Sequence, residues 1–248
     1  MDQLLDFSGK VALVTGGSRG LGQEMALALA ARGADVVITS RKADACEEVA
    51  NKISAMGRQA LAYGCHVGQW DALDGLVEAA YERFGKVDIL INNASAISLT
   101  GTLQTPMKRF DLMHQINGRG TYMVSKFCLP HLKKADNPHI LNLAPPLDMS
   151  AKWFANTVAY TMAKYTMSMC VLGMAEEFKP DCIAVNALWP RTAIATAAVQ
   201  NHLGGDEIMK LSRNVDIMAD SAYSILTKDS KSFTGNFCID DLVLYEDG

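Results

Sequence analysis

Two residues offer acid-base chemistry through their spacing. Tyr160 and Lys164 stand four apart in AYTMAKY, so on a helix both side chains leave one face with Cβ atoms about 5 to 6 Å apart. A phenol with an unperturbed pKa of about 10 carries protons poorly near neutrality, and an adjacent ammonium favours the phenolate and lowers that pKa. Such a pair is also common on ordinary helix faces, so it needs companions before it means chemistry. A second candidate is TGGSRGLG, Thr15 to Gly22. Gly16, Gly20 and Gly22 suit a tight turn, a close backbone approach and a helix-to-strand contact, at which a Cβ would obstruct. Between a strand and a helix such a turn cradles a pyrophosphate on backbone N–H groups and the positive helix end. The same turn can also serve without a ligand.

The flanking segments supply that context. VALVT (Val11 to Thr15) is a short β-branched run, and Leu21, Met25, Ala28 and Leu29 share one face of the following helix, which Gly33 stops. DVVIT (Asp35 to Thr39) predicts a second strand. Further strands are expected near Ala60 to Cys65, Val87 to Ile91, His139 to Leu143, Ile183 to Leu188 and Asn236 to Ile239. Helices are expected near Ala43 to Met56, Trp70 to Phe84, Met107 to Asn117, Thr121 to Lys134, Trp153 to Lys179 and Val215 to Leu226. This alternation predicts an α/β chain: a Rossmann-like, doubly wound parallel sheet of about seven strands with helices on both faces, in one domain over residues 1–248.

At the end of the second strand an NAD site usually places an acidic residue against the ribose 2′-OH. Thr39, Ser40, Arg41 and Lys42 stand there instead, and Arg19 lies in the glycine turn. Two guanidinium groups could clamp a 2′-phosphate, which favours NADP over NAD. Arg41 and Lys42 also suit a solvated helix entry.

Composition narrows the partners. The 248 residues are 49% hydrophobic and 20% charged, with 23 Lys and Arg against 27 Asp and Glu, a net charge of -4. That balance fits a globular chain and argues against nucleic acid. Six cysteines, at 46, 65, 128, 170, 182 and 238, have no metal-like spacing, so no metal site is expected, and reduced thiols in a cytoplasmic compartment are. The N-terminal MDQLLDFSGK has no apolar core of a signal peptide, and the longest charge-free run, Ile89 to Met107, carries Asn92, Asn93, Gly101 and Pro106, so neither a leader nor a membrane span is expected.

TGGSRGLG, then NNAS (Asn92 to Ser95), then Asn117, then Tyr160 with Lys164, in that order, resemble the classical short-chain dehydrogenase/reductase family. The match runs from Lys10 to Asp240. The resemblance makes Tyr160 the general acid for carbonyl reduction, Lys164 its activator and ribose ligand, and Asn117 a link in a proton relay through water. It gives cofactor contacts to Gly16, Ser18, Arg19, Gly20, Leu21, Gly22, Ser40, Arg41, Lys42, His66, Val67, Asn93, Ala94, Tyr160, Lys164, Pro190, Thr192 and Ile194, with Asn92 supporting sheet and cofactor. From residues alone, Asn92 reads equally as a turn residue and Asn117 as a helix end before Gly118.

Several positions depart from the pattern. The family's catalytic serine falls on Leu147, thirteen residues before Tyr160, and APPLDM holds no serine under a shifted alignment either. Asp148, which would have to be protonated to donate, Ser150 and Asn142 are the available substitutes. Arg191 replaces a glycine after the sixth strand, where it could meet an acidic substrate group, and FTGNFCIDD lacks the family's two final glycines. APPLDM, Trp153–Phe154, MAEEF and NALWPRTAI look most like the hydroxysteroid-dehydrogenase-like subgroup. Leu147, Met149, Trp153, Phe154 and Trp189 would line an apolar pocket, or else serve as core or subunit-interface residues.

Together these imply hydride transfer between NADP(H) and a hydrophobic alcohol or carbonyl of terpenoid, steroid or fatty type, in a homotetramer or homodimer built on the helices near Thr121 to Lys134 and Trp153 to Lys179. The alternative is an NADP-binding sensor with little turnover, motivated by the absent serine.

Overall fold

The computed structural model describes residues 6–202 and 205–248. Residues 1–5, within the stretch read above as lacking a leader, lie outside the described residues. Strands and helices alternate: β1 (Val11–Thr15), α1 (Gly20–Ala31), β2 (Asp35–Ser40), α2 (Ala43–Ala55), β3 (Ala60–Gly64), α3 (Trp70–Phe84), β4 (Ile89–Asn92) and α4 (Met107–Met113). After a π-helical turn (His114–Gly120) come α5 (Thr121–Leu132), β5 (His139–Asn142), α6 (Val158–Glu177), β6 (Ala184–Trp189), α7 (Ala197–His202), α8 (Gly205–Leu211), α9 (Asp216–Leu226), β7 (Phe237–Ile239) and α10 (Asp240–Asp247).

The seven strands form one sheet in the order β3-β2-β1-β4-β5-β6-β7, parallel throughout. Buried strands alternate their side chains between two apolar layers, as a sheet covered on both faces requires. From β1, Ala12 and Val14 enter the layer with Met25, Leu29, Ile53 and Ile225. Val11 and Leu13 enter the other, with Leu76, Val124, Leu132 and Val171. Cys46, Cys65, Cys128 and Cys238 are buried in these layers.

The expected helices near Met107 to Asn117 and Thr121 to Lys134 are one continuous rod. Asn117, Gly118 and Gly120 read as a break in the sequence, yet they form the π-helical turn inside it. These glycines admit neighbours: a Cβ on Gly118 would lie 2.4 Å from Oγ1 of Thr166 on α6. A second correction is that α6 begins at Val158 rather than near Trp153, because Asn156 takes a left-handed φ of 67° and closes off a preceding 3-10 turn, Ala151–Trp153. The short helices α7 and α8 and the terminal α10 carry weak periodicity and went unforeseen.

Candidate active site

Chain progression reverses between β1 and β4, and in open α/β sheets the crevice above such a switch point takes ligands. Both glycine turn and NNAS segment meet there. Thr15 Oγ1 donates to Ile91 O at 3.2 Å and accepts from the N–H groups of Asn93 and Ala94 at 3.0 and 3.1 Å. Asn93 Nδ2 donates to Thr15 O and Gly16 O, tying the two loops together. Gly16 and Gly20 have left-handed φ of 64° and 55°. At Gly22 a Cβ would stand 2.4 Å from both Gly16 O and Asn93 Nδ2. No side chain caps the N-terminus of α1, whose first N–H groups therefore face the turn. The cradle thus fits a pyrophosphate, as its glycine types imply.

Beside it lies a cationic rim. Arg19, Arg41 and Lys42 are exposed, and among the described residues none of the three forms an ion pair. Ser40 Oγ donates to Lys42 O at 3.2 Å. Thr39 Oγ1 is buried without a partner at the end of β2. His66 Nδ1 accepts from Gly68 N at 3.2 Å, and Val67 is buried beside it.

The reactive face lies on α6. Lys164 is buried, donating from Nζ to Leu143 O at 2.7 Å, with Met167 Sδ at 3.4 Å and the Trp189 ring centroid at 5.3 Å. Tyr160 packs with Met113, Ala159, Ala163 and Phe110. The expected depression of the phenol by the ammonium is reversed in this state. Burial dominates both groups, pushing Tyr160 up to about 12 and Lys164 down to about 7. The phenol therefore holds its proton in the neutral range.

Asn117 is fully buried in the π-helical turn and spends its amide on Ala96, Nδ2 donating to Ala96 O at 3.1 Å and Oδ1 accepting from Ala96 N at 2.8 Å. Its side chain thereby fastens the loop after β4 to this turn. Asn92 Nδ2 donates to Ser125 Oγ and Asn142 Oδ1, at 3.0 and 2.9 Å, a buried network joining β4, α5 and β5.

The segment after β5 offers no free substitute for serine. Asp148 Oδ1 accepts from Ser150 Oγ and N, and Oδ2 from Trp153 Nε1, which holds the carboxyl down to about 2 and excludes it as a neutral donor. Ser150 is spent on that contact, and Asn142 Nδ2 is directed to Met167 O at 3.4 Å. Residues of α6 fix the segment: Ser168 Oγ donates to Pro145 O and Tyr165 OH to Asp148 O. Leu147 and Phe154 are partly buried, Phe154 edge-on to Tyr165 at 5.1 Å, whereas Met149 and Trp153 are exposed.

After β6 the loop passes Pro190, exposed Thr192 and buried Ile194. Arg191 does not stand free for an acidic substrate: its Nε donates to Asp241 Oδ2 at 2.5 Å. Three residues of this site were missed in the sequence, Arg213, Asp240 and Asp241, although the lost terminal glycines marked the place. Among the described residues no group of three or more His, Cys, Asp or Glu could hold a metal ion, and no helix is long and apolar enough to cross a membrane.

A family model described as short chain dehydrogenase matches residues 10–204. The chain is 54% identical over 256 residues to the hydroxysteroid dehydrogenase-like protein 2 of Danio rerio, covering 99% of this chain and 61% of that protein. It thus spans about three fifths of the length of that relative. A short chain dehydrogenase from Mycobacterium thermoresistibile superposes with TM-score 0.92 at 46% identity, covering 98% of this chain and 89% of the other. A 7 alpha-hydroxysteroid dehydrogenase complexed with NADH and 7-oxo glycochenodeoxycholic acid gives 0.86 at 28% identity, covering 95% and 94%. A short chain dehydrogenase from Burkholderia cenocepacia in complex with NADP gives 0.84 at 28%, covering 94% and 96%.

Proposed function

Since the chain belongs to the short-chain dehydrogenase family, we propose that it is an oxidoreductase of the CH–OH group that exchanges hydride between NADP(H) and a hydrophobic alcohol or carbonyl of steroid, terpenoid or fatty type. The observation that carries this reading is the partly buried Tyr160 one helical turn from buried Lys164 at the start of α6, which follows the carboxyl end of β5 as the glycine turn follows that of β1. Gly16, Ser18, Gly20, Leu21 and Gly22 would hold the pyrophosphate by their N–H groups. Arg19, Ser40, Arg41 and Lys42 would take the 2′-phosphate, His66 and Val67 the adenine side, and Asn93 and Ala94 the floor beneath. Pro190, Thr192 and Ile194 would flank the nicotinamide. When bound, the cofactor supplies or accepts the hydride. Tyr160 Oη donates its proton to the nascent alkoxide, and Lys164 holds the ribose hydroxyls and re-supplies positive charge beside the phenol.

Leu147, with Phe154, forms the apolar wall for the substrate. With no serine hydroxyl to polarise the carbonyl, Tyr160 is its donor, at a cost on the order of 100- to 1000-fold relative to a site with two donors. The same full engagement of Asp148, Ser150 and Asn142 favours a second reading, an NADP-binding sensor with little turnover. Titration of NADPH and NADH by fluorescence, alongside turnover on medium-chain aldehydes, terpenoid carbonyls and steroids, separates the two. The enzyme reading requires oxidation of NADPH by at least one class, and tight binding with none converted would give the second reading precedence.

The remaining features belong to the same proposal. Residues 1–248 act as one NADP-binding domain. The cysteine usage supports a cytoplasmic setting, and exposed Tyr122, Met169 and Leu172 on α5 and α6 support a homodimer or homotetramer on those helices.

A further inference from the structure

The loop after β6 touches both halves of the site. Its first residue follows Trp189, whose ring lies 5.3 Å from Lys164 Nζ. Its last, Thr196, brings its methyl group to 3.7 Å from where a Cβ of Gly20 would stand in the phosphate cradle. A dinucleotide laid from that cradle to the reactive pair must run along this loop, with its nicotinamide end beside residues 190–195.

Among the described residues, the hydrogen bonds that fix residues 190–195 come from two places outside the loop. Arg213, between α8 and α9, pairs its backbone with the loop: Arg213 N donates to Ala193 O at 3.0 Å and Ala195 N donates to Arg213 O at 2.9 Å. Its Nε donates to Thr192 Oγ1 at 2.8 Å, leaving that hydroxyl's own proton available to a ligand. Its Nη2 donates to Asp240 Oδ2 at 2.5 Å. Asp240, the first residue of α10, is fully buried, and its Oδ1 accepts from Arg191 N at 3.1 Å and Asp241 N at 2.8 Å. The exposed Arg191–Asp241 pair adds a second clip on the surface. The two departures from the glycine pattern thus meet one another, an ion pair standing where the family pattern has glycines.

We infer that Asp240 and Arg213 are positioning residues for the nicotinamide end of the cofactor, setting the backbone of residues 190–195 and the Thr192 hydroxyl from the base of α10. Nothing in this role requires either side chain to touch the cofactor. A buried carboxylate with three donors is satisfied only in one arrangement, so it fixes geometry more than it adds stability. The inference rests on the NADP reading given above.

Its test compares ligands that share one half of the cofactor. NADPH and adenosine 2′,5′-bisphosphate are titrated calorimetrically against the full chain and against Asp240→Asn, Arg213→Gln, Arg213→Lys and the surface variant Arg191→Ala. Expected is a loss of NADPH affinity of about tenfold or more for Asp240→Asn and Arg213→Gln, with adenosine 2′,5′-bisphosphate bound within about twofold of the parent. Arg213→Lys should recover part of the loss, because an ammonium reaches one acceptor where the guanidinium spans two. Arg191→Ala removes an exposed contact, so it folds even where the buried variants fail, and it should weaken NADPH about threefold without touching the bisphosphate. Equal losses for both ligands, or unchanged NADPH affinity, would overturn the inference while leaving the cofactor reading intact. A parent chain that bound neither ligand would overturn both.

Discussion

At residue scale the site is a set of groups whose burial sets their protonation. Lys164 lies buried with no carboxylate partner among the described residues, and desolvation alone draws it to about 7. Below that value the folded state carries a buried charge that the unfolded state solvates. The cost is fully present below about pH 7 and fades as pH rises toward the ordinary lysine value of 10.5. Lys164→Met should therefore raise the melting temperature at pH 6, lose that gain by pH 10, and lower turnover by at least 100-fold, which paired thermal scans and assays check. The cationic rim gives a second expectation: Arg19→Ala with Arg41→Ala should weaken NADPH by about 10- to 100-fold while sparing NADH, measured by titration of both. Tyr160, Lys164 and the glycines stood out in the sequence because their types and order along the chain resemble the family's pattern, the Tyr–Lys spacing alone being that of many ordinary helix faces. The fate of Asp148 was not legible there, since its three donors come from a turn whose shape depends on Asn156 and on Tyr165 across the fold. Arg213 was invisible for the same reason: its partners lie 21 and 27 residues away in the chain.

At element scale, strands were legible and the rod after β4 was not. β-branched runs bounded by glycines marked β1 and β2, whereas Asn117, Gly118 and Gly120 carry the signature of a helix end. Tertiary packing overrides that signature, because Gly118 is needed where α6 approaches. Gly118→Ala should destabilise the protein by about 1 to 3 kcal/mol through overpacking against Thr166, as chemical denaturation would register; an unchanged midpoint would remove the close-approach explanation. β5 offers a pH lever at the opposite end of the sheet from the site. His139 donates from Nε2 to Lys228 O, leaves Nδ1 without a partner, and is held neutral by burial, with its pKa drawn down to about 4. The unfolded chain takes up a proton below about 6.5 and the folded chain does not, so stability falls between pH 6.5 and 4, by on the order of 3 kcal/mol. His139→Asn should flatten that decline in denaturation series taken across this window.

At the scale of the whole molecule, one seven-stranded sheet brings together segments from β1 to α10, and the alternation of elements was sufficient to expect it. What alternation could not disclose is how α10 reaches back to the loop after β6, since short terminal elements take their positions from packing rather than periodicity. Exposed Tyr122, Met169 and Leu172 lead to an expected mass in solution of two or four chains by light scattering, and a monomer at micromolar concentration would exclude the proposed assembly. The central claim is that Tyr160 donates the proton that completes hydride transfer. It is met most directly by measuring NADPH oxidation by the parent chain and Tyr160→Phe on a converted carbonyl, with NADPH affinity determined for both. Expected is a fall in turnover of about 100- to 10,000-fold at an NADPH affinity within about twofold of the parent. A Tyr160→Phe variant as active as the parent would contradict it.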